Sequence, residues 1–328
     1  MGFEMIDYLY KTTSKWKASV ESMSYYEVLN TFSAPVYFFT ISGGWYYGVW
    51  LVLPWYYKDF SQSFLFFHQI LGTIICSEMM VNWLCIRFVD TSYLDRKTNE
   101  EEYKKLLESA VKNQTNNNGK SKGIVLQCKY WSWAPCLVCK QMRPPRCHHC
   151  PLCEKCVLKR DHHCYFAGRC VGFYNQRHFV VFCFWAIVAC LYGGLHSFTY
   201  MTNEMWPHIR FLDLLFPVAI LRAIFGYISL QMAILVCIGN MIAYFAYQSS
   251  MFLLDMSSLI SRGVTQFEEA NIHGNKMIVT DKRSTADKIA SVFGKFWILN
   301  FIVPLHFVLP PVEDPFSWPH TTVTTKSS

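Results

Sequence analysis

The stretch 136-CLVCKQMRPPRCHHCPLCEKCVLKRDHHCYFAGRC-170 gathers eight of the chain's fourteen cysteines and four of its eleven histidines into one short basic segment. Cysteines two residues apart bend into a turn that offers both thiolates to one tetrahedral ion, and three such steps occur: 136 with 139, 150 with 153, and 153 with 156. This is metal-site composition. It does not resemble a secreted disulfide framework, and no strand and helix context supports a thioredoxin-like redox motif. Two closed sites of three cysteines and one histidine would consume six cysteines and two histidines, leaving two of each. A closed four-coordinate site is structural, so any chemistry must come from that remainder. Spacing alone does not identify which residues remain.

Outside this block the chain is apolar. Of 328 residues, 52% are hydrophobic and only 16% charged, against roughly 25% charged in a soluble domain. The apolar residues form runs long enough for a bilayer core of about 30 Å, which needs roughly 20 helical residues. Candidate spans cover 36–57, 64–86, 179–201 and 229–253. Trp45, Tyr46, Tyr47, Trp55, Tyr56 and Tyr57 suit interfacial belts in the first. The second carries His68 and Glu78, which at membrane depth are expected near helix ends or paired inside the bundle. The apolar stretch from Phe211 is interrupted by Pro217 and Arg222, so its first part is expected to lie in the lumenal face. Residues 296–309, broken by Pro304 and followed by Pro310 and Pro311, read as interfacial packing.

Residues 87–178 are rich in Lys and Arg, whereas the connection 58–63 is poor in positive charge, so the positive-inside rule puts the middle region and both termini in the cytosol. The fold class expected is an α-helical polytopic membrane protein. Its parts are a cytosolic N-terminal segment (1–35), two spans (36–86), a cytosolic linker and cysteine-rich domain (87–178), two further spans with a lumenal connection (179–253), and a cytosolic C-terminal segment (254–328). An Asn/Ser/Gly linker is expected over 112–123, and the sequon at Asn113 would stay unglycosylated in the cytosol. Lys11, Lys15, Lys17 and Glu21 argue against a cleavable signal peptide, and Ile6 against myristoylation of Gly2. The net charge of +7 comes largely from the middle region and reads as topology, not as nucleic-acid binding. No internal repeat is evident.

In an extended segment alternate residues share a face, so His162 and Cys164 would point one way and Asp161 and His163 the other. One histidine can then serve a metal while its neighbour serves a thiol. An ordinary cysteine, with pKa about 8.5, is only a few per cent thiolate at neutral pH. An imidazole oriented by a carboxylate would raise the reactive fraction. The types needed for an activated thiol are present; from spacing alone the same residues could equally be further zinc ligands or surface polar groups.

At these residues the sequence resembles the DHHC family of protein S-acyltransferases, through the paired cysteines followed by Arg143, Pro144, Arg146, His149, Cys150, Cys153, Cys156, Asp161, His162, His163, Cys164, Cys170, Gly172, Asn175 and Phe179. The resemblance implies two structural Zn²⁺, one held by Cys136, Cys139, His149 and Cys156 and the other by Cys150, Cys153, His163 and Cys170. It makes Cys164 the nucleophile, His162 its base and Asp161 the partner orienting the base, with no role for Cys147. It further implies a two-stage palmitoyl transfer, from a long-chain acyl-CoA to Cys164 and then to cysteines of protein substrates, in an endomembrane such as the endoplasmic reticulum or Golgi. Arg143, Arg146 and Arg169 are candidates for the CoA phosphates. The chain departs from the family at Tyr165 and Phe166, where Pro and Trp are usual, and in the stretch from Asp90 to Lys97. It keeps Thr265, Gln266, Phe267 and Glu268 as a partial Thr-Thr-x-Glu motif, and carries Lys288 where Asn is usual. The alternative is a zinc-stapled membrane scaffold without catalysis, which would need neither Asp161 nor His162.

Overall fold

A computed structural model describes residues 25–95, 99–115, 121–126, 132–205, 209–275, 277–302 and 311–325. The lysines at 11, 15 and 17 and the prolines at 304 and 310 lie outside them. The chain starts with α1 (Tyr25–Tyr46), which runs through a π-helical turn, Tyr47–Val52, into a last α-helical turn, Leu53–Tyr56. The wide turn stands just before Pro54, which lacks an N–H and whose ring would strike the carbonyl four residues back in a regular helix. Ser61 caps the next helix, α2 (Gln62–Phe88), by accepting a hydrogen bond from Phe64 N.

The polar middle region follows as β1 (Ser92–Tyr93), α3 (Glu100–Ala110), β2 (Val111–Thr115), β3 (Ser121–Leu126) and three short hairpins. These are β4 (Ala134–Cys136) with β5 (Gln141–Arg143), β6 (His148–Cys150) with β7 (Lys155–Val157), and β8 (His162–Cys164) with β9 (Arg169–Val171). Within and beyond the expected linker at 112–123, β2 and β3 pair antiparallel.

Then come α4 (Gln176–Met205), the short α5 (Phe216–Ile224), α6 (Leu230–Arg262), α7 (Gln266–Asn275), β10 (Met277–Asp281), α8 (Thr285–Phe293) and β11 (Thr321–Thr325), which pairs with β10. Ser229 caps the start of α6, and Gly263, at φ +74°, ends it in the left-handed conformation that glycine adopts freely.

Among the described residues, four helical segments, Tyr25–Tyr56, Gln62–Phe88, Gln176–Glu204 and Leu230–Arg262, are long and apolar enough to cross a bilayer. α4 packs between α2 and α6. The largest core gathers where these helices meet the hairpins, around Ile86, Phe179, Phe182, Met256 and Leu259, and takes in Cys164, Ala167 and Val171. Away from it the helices turn apolar side chains outward, among them Phe66, Phe67, Leu191, Leu195 and Leu254. His68 lies near the start of α2, its Nδ1 2.9 Å from Tyr192 Oη, so it pairs within the bundle as expected. α5 packs on α6 and spans nothing; its connection is fixed by buried Asp213, which accepts from Arg210 N and pairs with Arg222.

Candidate active site and metal centres

Among the described residues, two groups of side chains have their ligand atoms within 4.8 Å of one another: Cys136, Cys139, His149 and Cys156, and Cys150, Cys153, His163 and Cys170. A tetrahedral zinc with Zn–S near 2.3 Å holds its sulfurs about 3.8 Å apart. Cys153 Sγ and Cys170 Sγ are 3.7 Å apart, and His163 Nδ1 lies 3.3 Å from Cys153 Sγ and 3.5 Å from Cys150 Sγ. In the first group His149 Nδ1 lies 3.2 Å from Cys139 Sγ. Both donor sets suit zinc in type and spacing.

The hairpins explain the grouping. His149 faces Cys156 across β6 and β7, and His163 faces Cys170 across β8 and β9, so each group takes one cross-strand histidine and cysteine. The other two ligands of each group are the turn cysteines of the preceding hairpin. The three hairpins also share one register: Cys136 pairs with Gln141, Cys150 with Lys155, and Cys164 with Arg169. Each turn ends in a left-handed residue, Lys140 (φ +52°), Glu154 (φ +54°) or Gly168 (φ +62°). This corrects the reading that no internal repeat exists. Once aligned, 148-HHCPLCEKCV-157 and 162-HHCYFAGRCV-171 are plainly the same unit. Gly168 has a second constraint, since a Cβ there would lie 2.8 Å from an Arg87 nitrogen.

Asp161 and His162 belong to neither metal group. His162 Nδ1 lies 2.7 Å from Asp161 Oδ2, and the other carboxylate oxygen accepts from Gln266 N at 3.0 Å. The imidazole edge is braced by Phe179, ring centroids 4.7 Å apart. Because β8 is extended, His162 and Cys164 lie on one face of the strand and His163 on the other. Cys164 is 2% exposed, and burial pushes its thiol above the usual range. The following turn, Tyr165–Ala167, is held from the helices: Trp83 Nε1 donates to Phe166 O at 3.0 Å, Arg87 to Ala167 O at 2.7 Å, and the Ser33 hydroxyl to Tyr165 O.

Beneath this turn lies an apolar cavity of about 330 Å³ between the four long helices. Tyr37 lines one end and packs on Phe166 at 5.0 Å; Gly48, Gly72 and Met79 line its walls, and Tyr192 and His196 stand among the residues farther along α4.

Of the three arginines expected to meet phosphates, Arg146 requires correction. It is 3% exposed, and Nε and Nη2 each donate to Glu268 at 2.7 Å, so it ties the hairpins to α7. Arg143 is half-buried and donates to Cys147 O at 2.6 Å. Arg169 is exposed and borders a small basic pocket with Arg87 and Lys155, which the spacing of charges in the sequence does not reveal. Cys147 is buried in a small core with Cys156 and Phe173.

Other contributors are not among the residues expected from the sequence. Asn30 Oδ1 lies 2.9 Å from His163 Nε2 and holds the ring so that Nδ1 faces the thiols. Glu268 closes a reciprocal cap, accepting from Thr265 N while its own N donates to Thr265 Oγ1. The Thr-Gln-Phe-Glu fragment was the available signal for this contact. Since residue 266 reaches Asp161 through its backbone, the glutamine there does not disturb the bond.

Residues 131–273 match the model of the DHHC palmitoyltransferase family. Over 176 residues the chain is 30% identical to proteins named Palmitoyltransferase ZDHHC22 from Rattus norvegicus and from Mus musculus. That match takes in 50% of this chain and spans 62% of the length of each relative. Its cysteine-rich block is therefore similar to the DHHC palmitoyltransferase family over residues 131–273, and the chain spans less than two thirds of the length of the curated relatives it matches.

Proposed function

We propose that this chain is a protein S-palmitoyltransferase working at the cytosolic face of an intracellular membrane, with Cys164 as nucleophile. The observation that carries the reading is the bond between His162 Nδ1 and Asp161 on a strand whose same face bears Cys164, made by two residues that neither metal group uses. Asp161 fixes the tautomer, so His162 Nε2 is the atom left to take a proton from the thiol. Cys164 Sγ then attacks the thioester carbon of a long-chain acyl-CoA, and the C–S bond to CoA breaks. The CoA sulfur leaves with the proton that His162 returns. In the second stage a substrate cysteine gives its proton to His162 and bonds to the acyl carbon, and Cys164 is released.

Zinc in the two Cys₃His groups would supply rigidity and folding energy, with no position open for substrate. The four long helices would sit in the bilayer with both termini in the cytosol. The cavity that starts at Tyr37 suits the acyl chain, each buried methylene contributing about 0.8 kcal/mol. CoA would remain in the cytosol, where Arg169, Lys155 and Arg87 offer positive charge. Arg143 is the weaker candidate because its guanidinium is already engaged by Cys147 O.

The test is incubation of the purified full chain with labelled palmitoyl-CoA. The expected result is a hydroxylamine-sensitive label on wild type that is absent from Cys164→Ser. Equal labelling of both proteins, or none on wild type, would overturn the proposal and leave the scaffold reading.

A further inference from the structure

Of the two ionisable side chains expected to pair inside the bundle or lie near helix ends, His68 meets the expectation and Glu78 does not. Glu78 lies ten residues before Phe88, the last residue of α2, about 15 Å from that end at the rise of an α-helix. It is half-buried; its Oε2 is buried without a hydrogen-bond partner, and no ion pair among the described residues reaches the carboxylate. The polar side chain one turn on, Asn82, is committed elsewhere: Nδ2 donates to Glu78 O at 2.9 Å, and Oδ1 lies 3.1 Å from His178 Nδ1.

With about 3.6 residues per turn, Glu78 stands on the seam between two rows of α2. On one side Ile75, Asn82 and Ile86 are buried in the bundle. On the other Ile70, Ile74, Ser77 and Val81 are exposed and turn outward. A helix laid along the outward row would therefore run directly beside the carboxylate.

We infer that Glu78 is an intramembrane contact for a different protein, one whose transmembrane helix carries a lysine or arginine near its middle. Charge complementarity selects this occupant, because an ionisable group at membrane depth is costly unless another group pairs with it. Lipids do not supply the pair: their amines and phosphates stay at the headgroups, roughly 15 Å from the midplane of a core about 30 Å thick. A second copy of this chain does not supply it either. Within the four spans the lysines and arginines are Arg87, Arg177 and Arg262, each at a helix end. A basic residue in the middle of another protein's helix lies at the right depth, and the two groups cancel each other's charge in a medium that tolerates neither alone. The inference rests on the bilayer placement proposed above and is independent of the acyl-transfer chemistry.

The test reconstitutes the dye-labelled full chain in phosphatidylcholine vesicles with a dye-labelled probe, a synthetic helix of about 20 leucines with one central lysine, and reads association by energy transfer. Wild type should bind the lysine helix about tenfold more tightly than the same helix with a central leucine, the weight of one polar contact between model membrane helices. Glu78→Leu should abolish that preference, and Glu78→Lys should move it to a helix with a central glutamate. Glu78→Gln, which keeps the shape of the side chain, should lose most of the preference too, so a folding defect in the leucine variant still leaves the charge tested. Equal binding of the lysine and leucine helices by wild type, or a full lysine preference in Glu78→Leu or Glu78→Gln, would refute the contact. Release of wild type from the vesicles by alkaline carbonate would refute the bilayer placement and the inference with it, whereas retention without a lysine preference refutes the contact alone.

Discussion

Replacing Glu268 with Ala should damage the site from its far side. The side chains of Glu268 and Arg146 are each 1% exposed, joined by two bonds of 2.7 Å, and Arg146 also lies 4.4 Å from the centre of the Trp318 ring. A surface ion pair would cost roughly 0–1 kcal/mol to lose. Here the loss leaves a guanidinium buried without its counter-ion, a situation that costs about 3–5 kcal/mol, and Thr265 N loses its acceptor as well. We expect Glu268→Ala to unfold about 4 kcal/mol more readily in detergent, read by urea titration. Acylation of Cys164 should slow with it, because a loosened start of α7 releases the Gln266 N–H from Asp161. The double variant Arg146→Met with Glu268→Leu should recover most of the stability, since an apolar pair leaves no charge unmatched. A loss below about 1 kcal/mol in Glu268→Ala would mean that water reaches the pair and that the coupling to Asp161 is wrong.

Further outcomes follow from single residues. His163→Ala should lose one metal and much of the fold, whereas His162→Ala should keep both metals and lose acylation; the opposite pattern in metal analysis and labelling would show the two roles reversed. Asn30→Leu should speed release of one of two zincs to a competing chelator by about 10–100-fold, the usual weight of a ligand's hydrogen-bond partner; an unchanged rate would remove Asn30 from the site. Gly193 lines the cavity, and a Cβ added there would meet no atom within 4 Å. Gly193→Leu should therefore displace about four methylenes, near 3 kcal/mol, and disfavour palmitoyl-CoA on the order of a hundredfold against a correspondingly shorter acyl-CoA. Equal use of both chains would place the acyl group elsewhere. Lys159 is buried, which lowers its pKa from 10.5 to about 8, with Arg146 adding to the effect. The unfolded state then binds more protons between about 8 and 10.5, so the Lys159 contribution should make stability rise with pH across that window and leave it flat below. The difference between wild type and Lys159→Met in urea midpoints should show that rise; a constant difference would refute it.

The metal groups were legible because cysteine pairs and a histidine doublet carry their geometry in spacing, although which histidine joined which group needed the family resemblance. Long apolar runs likewise announced α1, α2, α4 and α6. What stayed hidden depends on contacts between distant segments. Arg146 reads as one more base in a basic stretch until α7 brings Glu268 beside it, 122 positions later. Asn30 is an ordinary polar residue in an apolar helix until His163 arrives. Gln266 acts through its amide, which any residue but proline supplies. The repeat is faint in the sequence because its closing residues, Lys140, Glu154 and Gly168, share a backbone conformation and no chemistry.

The relay between hairpins also makes the two metal sites answer to one another. The β6–β7 hairpin gives His149 and Cys156 to one group from its strands and Cys150 and Cys153 to the other from its turn. An ion in the first group orders the strands that shape that turn, so the second ion finds two of its ligands already arranged, and by linkage each ion tightens the other. Half-filled protein should therefore be scarce during metal uptake. A cell short of zinc would hold a mixture of complete and empty sites, and the hairpin of Cys164, last in the series, would be ordered only in the complete molecules.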